Sequence, residues 1–209
     1  MNDIENYLCR CVGNIFSPRV YTLILFGSSV FHYGSDLDVC IVMHNYTSND
    51  AHAMATILSD IHKKFGLKLD EDVPFEKKCI FTYDECNFVA NNPPFYDGSN
   101  KCNIFLDFPK NEEYLLSDHA RLRLLFNILT SPTKILSGNM YISPIKYHAW
   151  EKLIKLARSF AGSSLTLEEF VKFICINPVT NMTYKDYLGY KYADKRFYYE
   201  QLNEFFISL

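Results

Sequence analysis

Residues 39–43 read Val-Cys-Ile-Val-Met, five apolar residues in a row, and Asp36-Leu37-Asp38 stands immediately before them. A strand with one wet face alternates apolar and polar side chains, whereas an unbroken apolar run implies burial on both faces. This segment therefore calls for a covered sheet, with two carboxylates at the mouth of its most buried strand. Upstream, residues 20–26 (VYTLILF) form a second strand rich in β-branched and aromatic residues, closed by Gly27-Ser28-Ser29.

Periodicity supplies the helices around this pair. Residues 3–16 place Ile4, Tyr7, Leu8, Cys11, Val12 and Ile15 on one face, with Asp3 as the cap and Pro18 as the stop. Residues 47–66 carry a stripe of Ala51, Met54, Ala55, Leu58, Ile61, His62 and Phe65. Lys63 and Lys64 lie in its last turn, and Gly66 sits at the position that ends helices in the left-handed conformation. Residues 67–73 (LKLDEDV) read as a third strand stopped by Pro74, and residues 79–85 and 102–108 as short strands around a Pro/Asn/Gly loop. From about residue 111 the pattern turns helical. One helix is expected through residue 129. Another opens with Ser143 as N-cap and Pro144 in the first turn and runs to Gly162. A third has a Thr166/Glu169 capping box, and a final amphipathic helix covers 194–209. The expected fold class is α+β, a mixed sheet with flanking helices over residues 1–110, followed by a mostly α-helical half, 111–209.

Composition narrows the function. A chain of 209 residues fits one large or two small domains at roughly 100–200 residues each. Its 48% apolar and 22% charged residues are ordinary for a globular protein. A net charge of −3 provides no global basic field, so a polyanionic substrate must be held by a local patch or through metal ions. The seven cysteines, at 9, 11, 40, 79, 86, 102 and 175, are odd in number and show no CxxC pair or zinc spacing, which suits reduced thiols in a cytoplasmic protein. The N-terminal residues lack the basic and apolar regions of a secretory leader, and no apolar run reaches 18 residues, so no membrane span is expected.

The opening pair of strands carries the chemistry. Asp36 and Asp38, two apart on a strand, point to the same face. Buried bare they repel, and a divalent cation resolves that conflict. Mg²⁺ (or Mn²⁺) takes one or two carboxylates and completes its shell with water and substrate phosphates. Gly27 permits close backbone approach and unusual φ/ψ. Ser28 adds an N–H and a hydroxyl, the ingredients of an anion-binding turn. Gly, Ser and Asp are also ordinary turn residues, so either feature alone describes a plain hairpin. Together they place a phosphate grip beside a metal site, which is what phosphoryl transfer requires.

The whole pattern LFGSSVFHYGSDLDVCIV (strand, Gly-Ser, spacer, Asp-x-Asp, strand) resembles the signature of the polymerase-beta-like nucleotidyltransferase superfamily. Its style is that of the small bacterial members, the antibiotic nucleotidyltransferases and the minimal nucleotidyltransferases of toxin–antitoxin systems. The match covers about residues 20–45, and element order extends it loosely to about 110. The resemblance implies ATP or another nucleoside triphosphate bound through Gly27 and Ser28. Asp36 and Asp38 would be metal ligands, and a third carboxylate would come from the next strand. Asp70 and Asp72 share one face of that strand; the superfamily's acid-then-apolar form favours Asp72 as metal ligand, while Asp70 lies nearer the strand centre. Asp107 stands further along than the usual spacing. Many small members have an Arg shortly after the Gly-Ser pair; here the spacer holds His32 instead. The implied reaction moves a nucleoside monophosphate to a hydroxyl, releasing pyrophosphate. The acceptor stays open among a small molecule such as an aminoglycoside or lincosamide, a protein hydroxyl and an RNA 3′ end. A non-catalytic nucleotide- or partner-binding module, antitoxin-like or regulatory, is the alternative.

Other residues have ordinary readings. Glu76, Lys77 and Lys78 suit a solvated edge, and Lys152, Lys155 and Arg158 a polar helix face or a basic rim to the nucleotide. Trp150 and His148 suit core or interface. The tail interleaves tyrosines with Lys185, Lys191, Lys195 and Arg196, a pattern that either binds single-stranded nucleic acid or packs as an amphipathic surface. The helical half also offers a surface for oligomerisation.

Overall fold

The structure is a computed structural model that describes residues 2–30, 37–68, 79–92, 117–130 and 133–161. Those residues form a four-stranded mixed sheet with helices on both faces. β1 (Val20–Leu25) pairs antiparallel with β2 (Val39–Met43), in a register that sets Leu25 opposite Val39 and Ile24 opposite Cys40. β3 (Ile80–Thr82) runs parallel to β2, and β4 (Lys134–Ser137) antiparallel to β1, giving the order β3-β2-β1-β4. All five residues of β2 are buried, which matches the two-sided cover required by its unbroken apolar run.

The cover divides by side-chain parity along the strands. Leu23 and Leu25 of β1 and Val39, Ile41 and Met43 of β2 pack with α1 (Asp3–Phe16) and α2 (Ser48–Phe65). Ile24, Cys40, Val42 and Phe81 pack on the opposite face with α3 (Tyr83–Asn91), α4 (Asp118–Leu129) and α5 (Asn139–Ala161).

The first helix keeps its expected bounds with a different cap. Asn2 Oδ1 accepts the Glu5 N–H at 2.9 Å, so Asn2 and not Asp3 closes the N-terminus. Its buried stripe is Leu8, Val12 and Phe16, and Ile15 is exposed. α2 is closed by a Thr47/Asp50 capping box at one end and by left-handed Gly66 at the other. Asp50 also accepts two bonds from the Arg19 guanidinium, at 2.6 and 3.0 Å, which ties the start of α2 to the start of β1.

Later segments depart from their expected bounds. Leu67 and Lys68 belong to no strand, and residues 69–73 of the expected third strand lie outside the described residues. Only residues 80–82 of the 79–85 run are extended, because Thr82 and Glu85 form a reciprocal capping box that starts α3. β4 was not visible in the helical pattern. Its four residues are too few for a period, and its place comes from pairing with β1 and from the Lys134–Glu5 ion pair at 2.6 Å. α5 starts at Asn139, before the expected Ser143/Pro144 cap, and passes through Pro144. Burial of Ile142 in the core recruits that extra turn, and Ser143 Oγ donates to Asn139 Oδ1 at 2.6 Å within it. The expected strand at 102–108 and the helices beyond residue 162 lie outside the described residues. None of the described helices is long and apolar enough to cross a membrane.

Candidate functional site

The turn after β1 folds back on the residue that opens β2. Residues Gly27–Val30 form one 3₁₀ turn. Gly27 has φ +57°, in the left-handed region that favours glycine. A Cβ at this position would stand 2.5 Å from Asp38 Oδ2, closer than real carbon–oxygen contacts allow, so the backbone of residue 27 lies directly against the Asp38 carboxylate. Two hydrogen bonds hold this approach. Phe26 N–H donates to Asp38 O at 3.1 Å, and Asp38 N–H donates to Ser29 Oγ at 2.8 Å, with Ser29 buried.

Leu37, between the two acids of the motif, is anchored on the opposite side. Its side chain is buried with α1 and α2, and its N–H donates to His62 Nε2 at 3.1 Å. His62 Nδ1 lies 2.6 Å from Leu58 O, one turn back on α2. A carbonyl only accepts and an amide N–H only donates, so the imidazole carries its proton on Nδ1 and presents a lone pair at Nε2. The sequence marks His62 only as a member of an apolar stripe, and Ser28 rather than Ser29 as the hydroxyl of the turn. A polar residue at i+4 from Leu58 inside that stripe was the available signal for His62.

Gly27 and Asp38 thus come together in space, with Ser29 bonded to the Asp38 N–H and Ser28 adjoining Gly27 in the chain. Asp36, Asp70 and Asp72 lie outside the described residues, as do His32, Glu76, Lys77, Lys78, Asp107 and the tyrosine-rich tail. Among the described residues no group of three or more His, Cys, Asp or Glu is placed to hold a metal ion. Asp38 contributes a hard carboxylate oxygen of the kind Mg²⁺ or Mn²⁺ prefers. The absence of a side chain at residue 27 lets that oxygen lie against the backbone of the turn. The remaining weighed residues sit elsewhere on α5. Trp150 is buried in the core, His148 Nε2 meets Asn91 Oδ1 at 2.9 Å, and Lys155 pairs with Glu151 along the polar face.

A cavity of about 1010 Å³ opens at the other end of β2, beyond Met43. Tyr46, Ser48 and His52 line one side of it, Asp84, Glu85 and Phe88 another, and Asp118, Arg121 and Leu122 the third. Arg121 is buried and fully engaged. It pairs with both oxygens of Glu85, donates to Tyr46 Oη at 2.9 Å and Ile80 O at 2.6 Å, and stacks 4.4 Å over the Phe81 ring. It bolts α4 to the ends of β2 and β3. Two further titratable groups lie in the core. Burial pushes the Lys146 ammonium down to about 7, with Nζ donating to Ile128 O at 3.2 Å, and burial raises the Cys40 thiol well above its ordinary range. Cys9, Cys11, Cys40, Cys79 and Cys86 are free thiols.

The chain matches no family model, no curated protein and no solved structure.

Proposed function

We propose that this protein is a Mg²⁺-dependent nucleotidyltransferase with a polymerase-beta-like fold. In this reading an acceptor hydroxyl oxygen attacks the α-phosphorus of a nucleoside triphosphate. The bond from that phosphorus to the bridging oxygen breaks, pyrophosphate leaves, and the hydroxyl proton passes to a nearby carboxylate or water. Gly27 and Ser28 take the phosphates, Asp36 and Asp38 hold the metal, and Asp70 or Asp72 completes the carboxylate set and accepts the proton. The bound cation would neutralise charge on the phosphates and lower the pKa of a coordinated hydroxyl. ATP is the first donor to test. A cytoplasmic, reducing location belongs to the same proposal and draws support from the five free thiols.

The observation that carries the reading is the approach of the Gly27 backbone to Asp38 Oδ2, where a Cβ would displace the carboxylate. A plain hairpin turn has no need of a glycine packed on a carboxylate. The test is thermal shift and calorimetry with Mg²⁺ and each nucleoside triphosphate. Stabilisation that needs both metal and nucleotide is expected in the wild type and is lost in Asp38→Asn and Asp36→Asn. Equal stabilisation in those variants would sink the metal site. Labelled triphosphates in cell extract then show whether label moves to a small molecule, a protein or RNA. Binding without transfer would point to a nucleotide-binding module instead.

A further inference from the structure

We infer that His62 is a positioning residue for the acidic motif: from α2 it grips the Leu37 N–H and so fixes the backbone that carries Asp38 against Gly27. The inference rests on the nucleotidyltransferase reading, since it assigns His62 a part in the site that Asp38 is proposed to build.

Three backbone groups in succession define how the chain enters β2. Leu37 N–H goes to His62 Nε2 at 3.1 Å, Asp38 N–H to Ser29 Oγ at 2.8 Å, and Asp38 O receives Phe26 N–H at 3.1 Å. The Ser29 bond comes from the turn itself, and the Phe26 bond from the residue that follows β1 and extends its ladder with β2. The Leu37 bond comes from a helix that is independently braced by its capping box, by Gly66 and by the core. It ties the acidic segment to a helix, outside both the turn and β1. His62 is 4% exposed and its ring is held from behind by Leu58 O at 2.6 Å, so neither nitrogen is free to wander.

The Leu37 side chain adds direction. It points into the α1/α2 core, and alternation along an extended chain then sends the Asp38 side chain to the opposite side. Pinning both the side chain and the N–H of Leu37 therefore aims the Asp38 carboxylate. Groups that orient metal ligands through such outer contacts typically change metal affinity by about 10–100-fold when removed. A merely structural buried histidine would cost stability without touching the metal site selectively.

The experiment uses the full chain and Mn²⁺ as probe, with affinity read by electron paramagnetic resonance and stability by thermal melting. His62→Phe fills the space and removes the acceptor, and His62→Asn, too short to reach Leu37, serves the same purpose if the first variant does not fold. His62→Gln keeps an amide oxygen for the Leu37 N–H. Met54→Ala, a cavity in the same helix, is the stability control. Expected are wild-type Mn²⁺ binding that Asp38→Asn abolishes, a loss of about tenfold or more in His62→Phe or His62→Asn, recovery in His62→Gln, and unchanged binding in Met54→Ala despite its lower melting temperature. Wild-type affinity in His62→Phe or His62→Asn, with Asp38→Asn still inactive in binding, overturns the positioning role and leaves the metal site standing. A loss in Met54→Ala as large as that in the His62 variants overturns it too. Absence of Mn²⁺ binding in the wild type overturns the metal site, and the inference with it.

Discussion

Gly27 and Asp38 touch through backbone and carboxylate: a methyl group at 27 would meet Asp38 Oδ2 at 2.5 Å, and residue 27 holds φ +57°. Gly27→Ala therefore meets a left-handed penalty of about 1–2 kcal/mol and displaces the Asp38 side chain. Gly138, between β4 and α5, is tighter. It has φ +74°, and a Cβ there would fall 1.7 Å from the Tyr21 carbonyl oxygen of β1. A side chain can swing aside, whereas a paired strand cannot. Urea unfolding should rank Gly138→Ala as the more destabilised variant, while nucleotide-dependent stabilisation should be lost in Gly27→Ala.

Asp50 predicts an acid-sensitive joint. The half-exposed Arg19 guanidinium and the Thr47 hydroxyl and N–H hold its carboxyl well below the ordinary value of 3.8. A depressed folded value means the contribution is complete above the unfolded value and disappears as pH falls through the folded one. Wild-type stability should decline below about pH 4. Asp50→Asn should flatten that limb and cost about 1–2 kcal/mol at neutral pH through the weakened cap. Melting curves from pH 2 to 7 check both.

Lys146 predicts the opposite limb. Its folded value is about 7 because burial disfavours the charge, against an ordinary 10.5, so the unfolded chain binds the extra proton across that window. Stability should rise between pH 7 and 10 by up to about 1.4 kcal/mol per unit. Lys146→Met keeps the stem and removes the charge. It should abolish the slope and stabilise the protein at pH 7 by on the order of 1–3 kcal/mol, as read from urea titrations at several pH values.

Arg121 donates from a buried position to both Glu85 oxygens, Tyr46 Oη and Ile80 O. Its side chain is 6% exposed and its partner Glu85 is 30% exposed, and Glu85 also caps α3. Arg121→Met strands that carboxylate and two further acceptors, and should cost about 3–5 kcal/mol. Arg121→Lys should recover less than half, since an ammonium cannot reproduce the planar fork. Because the proposed site at Asp38 lies at the other end of β2, Mn²⁺ binding in the folded fraction of either variant should match the wild type.

The sequence was most legible where a long period or strong punctuation acts. α1 and α2 followed from their stripes, β1 and β2 from apolar runs, and the end of α2 from Gly66. It was least legible where an element is short or held from afar. β4 has four residues and is a strand because β1 offers it an edge. α3 hid behind a strand-like run, although Thr82 and Glu85 carried its start signal. α5 gained a turn ahead of Pro144 because Ile142 is buried.

The amino-acid sequence by itself determined that a doubly covered strand follows Asp38 and that a glycine turn precedes it, because burial pattern and turn chemistry are local properties. Only the tertiary structure decided that Gly27 lies on the Asp38 carboxylate, that Ser29 takes the Asp38 N–H, and that His62 takes the Leu37 N–H. Those contacts join residues 9 to 25 positions apart through the backbone. A backbone N–H is the same at every residue but proline, so nothing in the letters marks which one a distant side chain will hold.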